Sequence, residues 1–425
     1  MKVAIVGTGG REHCLGYRIG SSEDCDKIYF ISGNAGTIAL GENVEINQND
    51  SKAILKFCID NGVDFVIIGP EKPLVDGLSD LLRADNITVF GPSGTAARIE
   101  SEKSYAKMIM KKYSIPTADY KEYSREERTE ALEYLSKVTY PVVIKADGLA
   151  AGKGVLICGS YEESEIAIND IFENNIFGSS GDKVIIEEFL QGEEATIFVI
   201  TDGENYVTLP AAQDHKRIGD GDTGKNTGGM GAYAPAPVMT PLLLEEIKRS
   251  IIEPALRGLR EENNPFTGCL YCGLMITHLG PKVIEFNCRF GDPETQVVLP
   301  IVEGNILRLL YSAAIGKLEE DSVWYGNKTA VCIVAASDGY PDKYESGFVI
   351  QGLEDLNTEK FQTFHSGTKV VNNEILTNGG RVLGLTAILE ENNLKLAIKQ
   401  AYSGIEKIHF NNIYYRKDIG HKALK

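Results

Sequence analysis

The 425-residue chain is long enough for roughly two to four domains. Its 43 Lys and Arg against 60 Asp and Glu give a net charge of −17, which excludes a nucleic-acid backbone as partner but not a small phosphorylated substrate. Hydrophobic residues at 43% and charged residues at 24% are ordinary for a globular chain, and no apolar run approaches a membrane span, so no membrane partner is expected.

The opening "MKVAIVGTGG" runs straight into a strand, so no leader is expected. Eight cysteines without framework spacing fit a reducing, cytoplasmic location. "KVAIVG", "KIYFIS", "DFVIIG" and "ITVFG" alternate with helical stretches over the first hundred residues and end near Gly or Ser. That alternation predicts a parallel sheet with ligands beyond its carboxyl ends. From residue 101, "SEKSYAKMIMKKYS" reads as one helix, followed by strands "YPVVIKA", "GVLICG" and "KVIIEEFL" and an antiparallel pair "EATIFVITDG" and "NYVTLPAAQ". Residues 214–235 show no periodicity and read as a long functional loop. Helices at about 241–262 and 294–316 flank strands "GCLYCGLMIT" and "KVIEFNC". A composition shift near 318–328 opens a small α+β segment with a helix at 394–408. Cys269-x-x-Cys272 lies in a strand, where side chains three apart face opposite ways, so it reads as buried packing and not as a zinc pair.

"VAIVGTGGREH" has the beginning of a dinucleotide fingerprint, but the third glycine is replaced by Glu12 and the next strand ends at Ser32 where a ribose-binding acid is needed. A glycine turn opening a helix still suits a phosphate-bearing substrate, with Gly9, Gly10, Arg11, Glu12 and His13 as candidates. "GPEKPLVDG" adds Pro70 and Glu71 to the same crevice. "IKADGLAAGKGV" resembles a P-loop but fails on three counts. Gly148 and Gly152 are too close, Gly154 replaces the hydroxyl residue, and the loop joins two strands. It reads instead as a glycine flap, with Lys145 at its base and Lys153 upon it. "VIIEEFLQGEEAT" suits adenine reading by main chain and ribose binding by a carboxylate, or else an ordinary acidic strand end. In "KVIEFNCRFGDPETQ", Glu285, Asn287 and Arg289 share one strand face, which suits Mg²⁺ ligation and charge neutralisation of a phosphoryl group. Cys288 points the other way, into the core.

In this order these segments resemble the ATP-grasp superfamily and, within it, the phosphoribosylamine–glycine ligases. "RFGDPETQ" is the most specific of them, and "GTGGREH", "GPSGTAARIESEKSYAK", "IIEEFLQGEEAT", "AAQDHKRIGDGDTGKNTGGMGAYAP" and "FHSGTKVVNNEILTNGGRVLGLTA" accompany it. The resemblance implies an α/β and α+β multidomain chain. A parallel-sheet, Rossmann-like domain at 1–100 precedes a two-lobed ATP-grasp domain at 101–322, with the flap-bearing lobe at about 120–190, and a C-terminal α+β domain at 323–425. It implies ATP bound by Lys103, Lys145, Gly152, Lys153, the main chain of Glu187, Glu188, Phe189 and Leu190, and Glu194. Mg²⁺ or Mn²⁺ would sit on Glu285 and Asn287. Arg289, Lys216 and Asp214 would be catalytic. His215, Gly229, Asp292 and Glu294, with the N-terminal turn, Pro70 and Glu71, would bind glycine and 5-phosphoribosylamine. A monomer is expected. A formate- or bicarbonate-using ATP-grasp enzyme, a dinucleotide dehydrogenase and a non-catalytic nucleotide-binding module are the alternatives.

Overall fold

In the computed structural model, residues 1–150, 154–356 and 358–424 are described. The first sheet contains β1 (Lys2–Gly7), β2 (Lys27–Ser32), β3 (Glu42–Val44), β4 (Phe65–Ile68) and β5 (Thr88–Phe90), all parallel in the order β3-β2-β1-β4-β5. The strands are continuous apolar runs because α1 (Gly10–Ile19), α2 (Ser51–Asn61), α3 (Glu71–Val75) and α4 (Leu78–Ala84) leave little of either face open to water. The chain reverses its direction across the sheet between β1 and β4, so a crevice opens at their carboxyl ends, beside Gly7 and Gly69.

The helix expected from 101 is α6 (Lys103–Lys112), and a further helix, α5 (Gly94–Ser101), precedes it, the two separated by Glu102 in extended conformation. The Asp147 carboxylate fixes this break by accepting from the Ser104 amide at 2.7 Å and the Ser104 hydroxyl at 2.8 Å. A lobe follows with its own apolar core: β6 (Tyr120–Ser124), α7 (Arg128–Leu135), β7 (Val142–Ala146), β8 (Val155–Cys158), α8 (Tyr161–Phe172) and β9 (Lys183–Glu188). Its sheet runs β6-β9-β7-β8, and β7 pairs antiparallel with β8, so the glycine loop joins two strands as expected.

The second lobe is the antiparallel sheet β11-β10-β16-β17, formed by β10 (Glu193–Thr201), β11 (Tyr206–Thr208), β16 (Gly268–Thr277) and β17 (Gly280–Asn287). Residues 214–235 are not an irregular loop. They hold the second residue of β12 (Gln213–Asp214) and all of β13 (Arg217–Gly219), β14 (Thr223–Asn226) and β15 (Gly231–Ala234). Strands this short and this rich in Gly and Asp carry no period of their own. Helices α9 (Pro241–Ile247) and α10 (Glu253–Glu261) join through a π turn, as the long helical reading implies. The helix predicted at 294–316 is broken into α11 (Thr295–Val298), β18 (Val302–Gly304) and α12 (Ile306–Ala314), with Pro300 and a left-handed Gly304 between.

Short β19 (Val323–Tyr325) pairs with β18. The last part contains β20 (Thr329–Ser337), β21 (Phe361–His365), β22 (Thr368–Val371), β23 (Glu374–Thr377), β24 (Arg381–Leu389), α13 (Leu394–Ile405) and β25 (Ile413–Tyr414). The sheet β12-β15-β20-β24-β21 takes two strands from the middle of the chain, so hydrogen bonding continues across the boundary drawn near residue 322. Cys269 and Cys272 are buried in different cores on opposite faces of β16. No helix among the described residues is long and apolar enough to cross a membrane.

Candidate active site

The two lobes bring their lysines together around β9 and β17. Lys145, next to last in β7, places Nζ 2.8 Å from Glu187 Oε2 and donates to the Ile284 carbonyl at 3.0 Å. The other oxygen of Glu187 meets Lys107 Nζ at 3.0 Å. All three side chains are buried, so one carboxylate balances two ammonium groups and leaves an excess positive charge. Lys103, one turn before Lys107 on α6, donates to the Gly148 carbonyl at 3.0 Å, and burial pulls its ammonium below its usual value. Burial pushes the Glu285 carboxyl up, but Lys216, Lys145, Lys103 and Arg289 outweigh it and hold the group below the usual range. The charge of four cations is therefore felt at one carboxylate, and Lys216 is the one in ion-pair range of it.

Across the same space, Lys216 Nζ lies 3.0 Å from Glu194 Oε2 and 3.8 Å from Glu285 Oε1. Burial opposes charge on Lys216, and Glu194, Asp214 and Glu285 more than restore it. Asp214, buried on β12, is pushed up to about 8, by burial first and then by Glu294, Glu194 and Glu285 against the pull of Lys216. Glu294 is raised by burial and accepts the Tyr271 hydroxyl at 2.8 Å, while Tyr271 accepts the Thr196 hydroxyl at 2.9 Å. Two carboxyls raised by burial, Asp214 to about 8 and Glu294 in the same direction, thus flank a charged lysine. Asn287 and Glu285 share an edge-strand face, and neither side chain makes a hydrogen bond among the described residues. A carboxylate and an amide oxygen that no hydrogen bond holds, beside these cations, fit a hard divalent ion that shares its shell with phosphate oxygens.

The N-terminal crevice is differently furnished. Glu12 reaches back so that Oε2 accepts the Gly9 amide at 2.6 Å, while Oε1 lies 2.5 Å from Arg11 Nε. A Cβ on Gly69 would sit 1.9 Å from Glu12 Oε1, so the strand-end glycines exist to admit this carboxylate. Asp292 accepts Arg11 N at 3.4 Å on one oxygen and Gln296 Nε2 at 2.9 Å on the other. Arg381 closes this side. Its Nη1 lies 3.1 Å from Asp292 Oδ1 and donates to the Gly228 carbonyl at 2.8 Å.

Three family models match in succession: the phosphoribosylglycinamide synthetase N domain over residues 1–100, its ATP-grasp (A) domain over 101–295 and its C domain over 330–422. The chain belongs to the phosphoribosylglycinamide synthetase family. A phosphoribosylamine–glycine ligase of Vibrio cholerae is 43% identical, covering 100% of this chain and 99% of that protein. One from Caldanaerobacter subterraneus is 45% identical with 99% of each covered. The crystal structure of a phosphoribosylamine–glycine ligase from Thermotoga maritima superposes with a TM-score of 0.85 at 34% identity, covering 99% of this chain and 100% of that one. The biotin carboxylase domain of a Hydrogenobacter thermophilus 2-oxoglutarate carboxylase, solved with MgADP, ADP and bicarbonate, reaches 0.74 at 17% identity over 97% of this chain and 91% of that one, and shares the ATP-grasp fold.

Within this synthetase-family fold, Lys103, Lys145, Lys216, Asp214, Glu194, Glu285, Asn287 and Glu294 are brought together. Gly152 and Lys153 lie outside the described residues. Several expectations need correction. His215 is fully buried with Nε2 accepting the Gly420 amide at 3.0 Å, so its ring faces the C-terminal segment and not a substrate. Glu12 caps its own helix, and His13 Nδ1 accepts the His365 amide at 2.9 Å, so neither side chain is free for a ligand. The Glu188 amide donates to the Asp119 carbonyl at 2.9 Å and Glu187 pairs with both neighbouring strands. Of the adenine segment, only Phe189 and Leu190 keep main-chain groups outside the sheet ladder. Arg289 is held by Glu100 at 2.8 Å and Glu71 at 3.3 Å, which fix its guanidinium in place at the edge of the site and share its charge. Pro70 caps the short α3, which presents Glu71 to that guanidinium, and Gly229 adopts a positive φ against Pro293.

The sequence reading missed Lys107, Glu100 and Arg381. Lys107 had a usable signal, four residues after Lys103 on one helical face. Glu100 and Arg381 act through contacts of high sequence separation and had none.

Proposed function

We propose that this chain joins glycine to 5-phosphoribosylamine with hydrolysis of ATP to ADP and phosphate, through glycyl phosphate, and so forms glycinamide ribonucleotide in purine biosynthesis. The observation that carries the reading is the meeting of two lysines at β17, Lys216 3.8 Å from Glu285 and 3.0 Å from Glu194, and Lys145 on the neighbouring Ile284 carbonyl at 3.0 Å, on the strand that also bears Asn287. Phosphoryl transfer needs cations and positioning more than a covalent nucleophile, and that is what these residues offer.

Lys103 and Lys145 hold triphosphate oxygens. The main chain of Phe189 and Leu190 takes the adenine edge, and Glu194 the ribose. Glu285 and Asn287 would hold Mg²⁺, or Mn²⁺ in its place, which when bound neutralises charge on the transferring group. Lys216 and Arg289 orient the glycine carboxylate for attack on the γ-phosphorus, and ADP departs. The phosphoribosylamine nitrogen then attacks the glycyl carbonyl and phosphate leaves. Asp214, resting protonated near neutrality, and Glu294 are placed to exchange the amine's proton. The Gly9–Gly10 turn, Arg11, Glu71, Gly229 and Asp292 border the sugar phosphate, and the loop carrying Lys153 excludes water from the acyl phosphate. The reading includes a cytoplasmic, monomeric enzyme.

The test is ADP release with freshly generated phosphoribosylamine, comparing the parent with Arg289→Ala. Turnover that requires glycine and falls about 10²-fold or more in the variant is expected. Turnover supported by formate or bicarbonate in place of glycine overturns the reading.

A further inference from the structure

Lys216 and Asp214 stand at the base of a hairpin that cannot hold itself. Strands β13 and β14 pair only with each other, and none of their residues is buried. A two-stranded hairpin without an apolar face is marginal in water. Its tethers are polar: Lys225 on β14 pairs with Asp342 at 2.8 Å, and the larger set comes from one segment distant in sequence, residues 414–422.

Arg416 is the centre of that segment. Its side chain is 0% exposed, which is unusual for an arginine and costly unless every partner is in place. Nε and Nη2 grip the two oxygens of Asp418, each at 2.7 Å. Nη1 divides between Asp222 Oδ1 at 2.9 Å and the Arg217 carbonyl at 3.0 Å. The tethers repeat along the hairpin. Asp418 also accepts the Gly221 amide at 2.8 Å, Asp220 accepts the Lys417 amide at 2.9 Å, and the Tyr414 hydroxyl donates to the Ile218 carbonyl at 2.7 Å. Lys422 Nζ meets Asp222 at 2.7 Å, and Gly420 N donates to His215 between the two functional residues. Among the described residues no hydrogen bond or ion pair joins this segment to α6, β7, β9 or β17, which carry the phosphate-binding lysines and the metal ligands.

We propose that Arg416 is a positioning residue for the ligation, clamping the β13–β14 hairpin so that Asp214 and Lys216 are held against the glycyl carboxylate and the entering amine. The clamp acts first on the acyl-transfer half of the site and reaches the nucleotide half only through Lys216, whose Nζ also lies 3.0 Å from Glu194 and 3.8 Å from Glu285. This deepens the ligase reading and rests on it.

The experiment uses the full chain as parent, R416K and D418N. R416K keeps the charge but loses the two-pronged grip, and D418N removes one gripped charge. Three quantities are measured: amide hydrogen exchange over residues 216–226, kcat/KM for glycine, and the calorimetric Kd for Mg-ATP. Exchange at least about 10-fold faster in the hairpin is expected, with glycine kcat/KM down about 10²-fold and the Mg-ATP Kd within about 2-fold of the parent. Unchanged exchange, unchanged glycine kcat/KM, or equal losses of glycine turnover and Mg-ATP binding would each overturn the clamp. If R416K does not fold, Tyr414→Phe, which deletes one hydrogen bond, must show the same pattern in smaller size or the proposal fails. A failure of the ligase reading itself is distinct, since the parent would then release no ADP in response to glycine.

Discussion

At the residue scale, the site is governed by how few carboxylates are set against how many buried cations. Glu187 balances Lys107 and Lys145 together, at 3.0 and 2.8 Å, in a place water does not reach. Burial pulls the Lys107 ammonium below its usual value, and a phosphate-bearing ligand would balance the positive charge that remains. Lys145→Met is expected to lower kcat/KM by about 10²–10³-fold while the fold survives, since Lys107 still pairs with Glu187. Glu187→Gln is expected to do more harm to stability, because two ammonium groups are left facing each other without a counter-ion. A lower thermal midpoint in that variant, raised again by Mg-ATP, is the check. Asp214→Asn tests the proton-holding role: the thermal midpoint should be unchanged or higher at pH 7, because an Asp pushed up to about 8 costs stability once pH passes the unfolded value near 4, while turnover falls.

At the element scale, α1 shows why a near-match to a dinucleotide fingerprint misleads. Position 12 carries a side chain that bends back to its own N-terminus, and the space for it is made by Gly7 and Gly69 at the ends of β1 and β4. Gly69→Ala is expected to destabilise by about 1–3 kcal/mol, and adding Glu12→Ala should recover part of that loss in a denaturation cycle. Strands β1, β2, β4 and β5 were legible because long apolar runs bounded by glycine have a single good solution. The break between α5 and α6 was not, because Asp147 imposes it through Ser104, 43 residues away. Nor were β12 to β15, where backbone pairing and the Arg416 cluster hold residues that have no hydrophobic period. The same division runs through the site. The shared face of Glu285 and Asn287 was legible from strand alternation, whereas the setting of the His215 ring was not, because its partner, Gly420, lies 205 residues on.

At the scale of the whole molecule, the N-terminal and C-terminal parts meet through α1 and β21. His13 accepts the His365 amide at 2.9 Å, and Asn34 donates to the His365 carbonyl at 2.7 Å. Burial, with His365 adding to it, pulls His13 down to about 3, and burial alone pulls His365 to about 4. Both are therefore neutral in the folded chain and charged in the unfolded chain below about 6.5. Their contribution is complete above pH 6.5 and drains away as pH falls toward 4, by up to about 1.4 kcal/mol per unit for each ring. The thermal midpoint should fall over that window, and His13→Asn should flatten the profile. A profile equally steep in the variant would place the acid sensitivity elsewhere.

The shared sheet β12-β15-β20-β24-β21 ties this interface to the strand that bears Asp214, so the three matched regions act on one site and not on three. The central claim is that this site activates glycine as an acyl phosphate before the amine attacks. It is tested most directly by supplying glycine labelled with ¹⁸O in the carboxylate, together with ATP and phosphoribosylamine, and analysing the released phosphate. One labelled oxygen per phosphate, formed in step with the amide, is the predicted result. Phosphate without label, with the amide still formed, would contradict it.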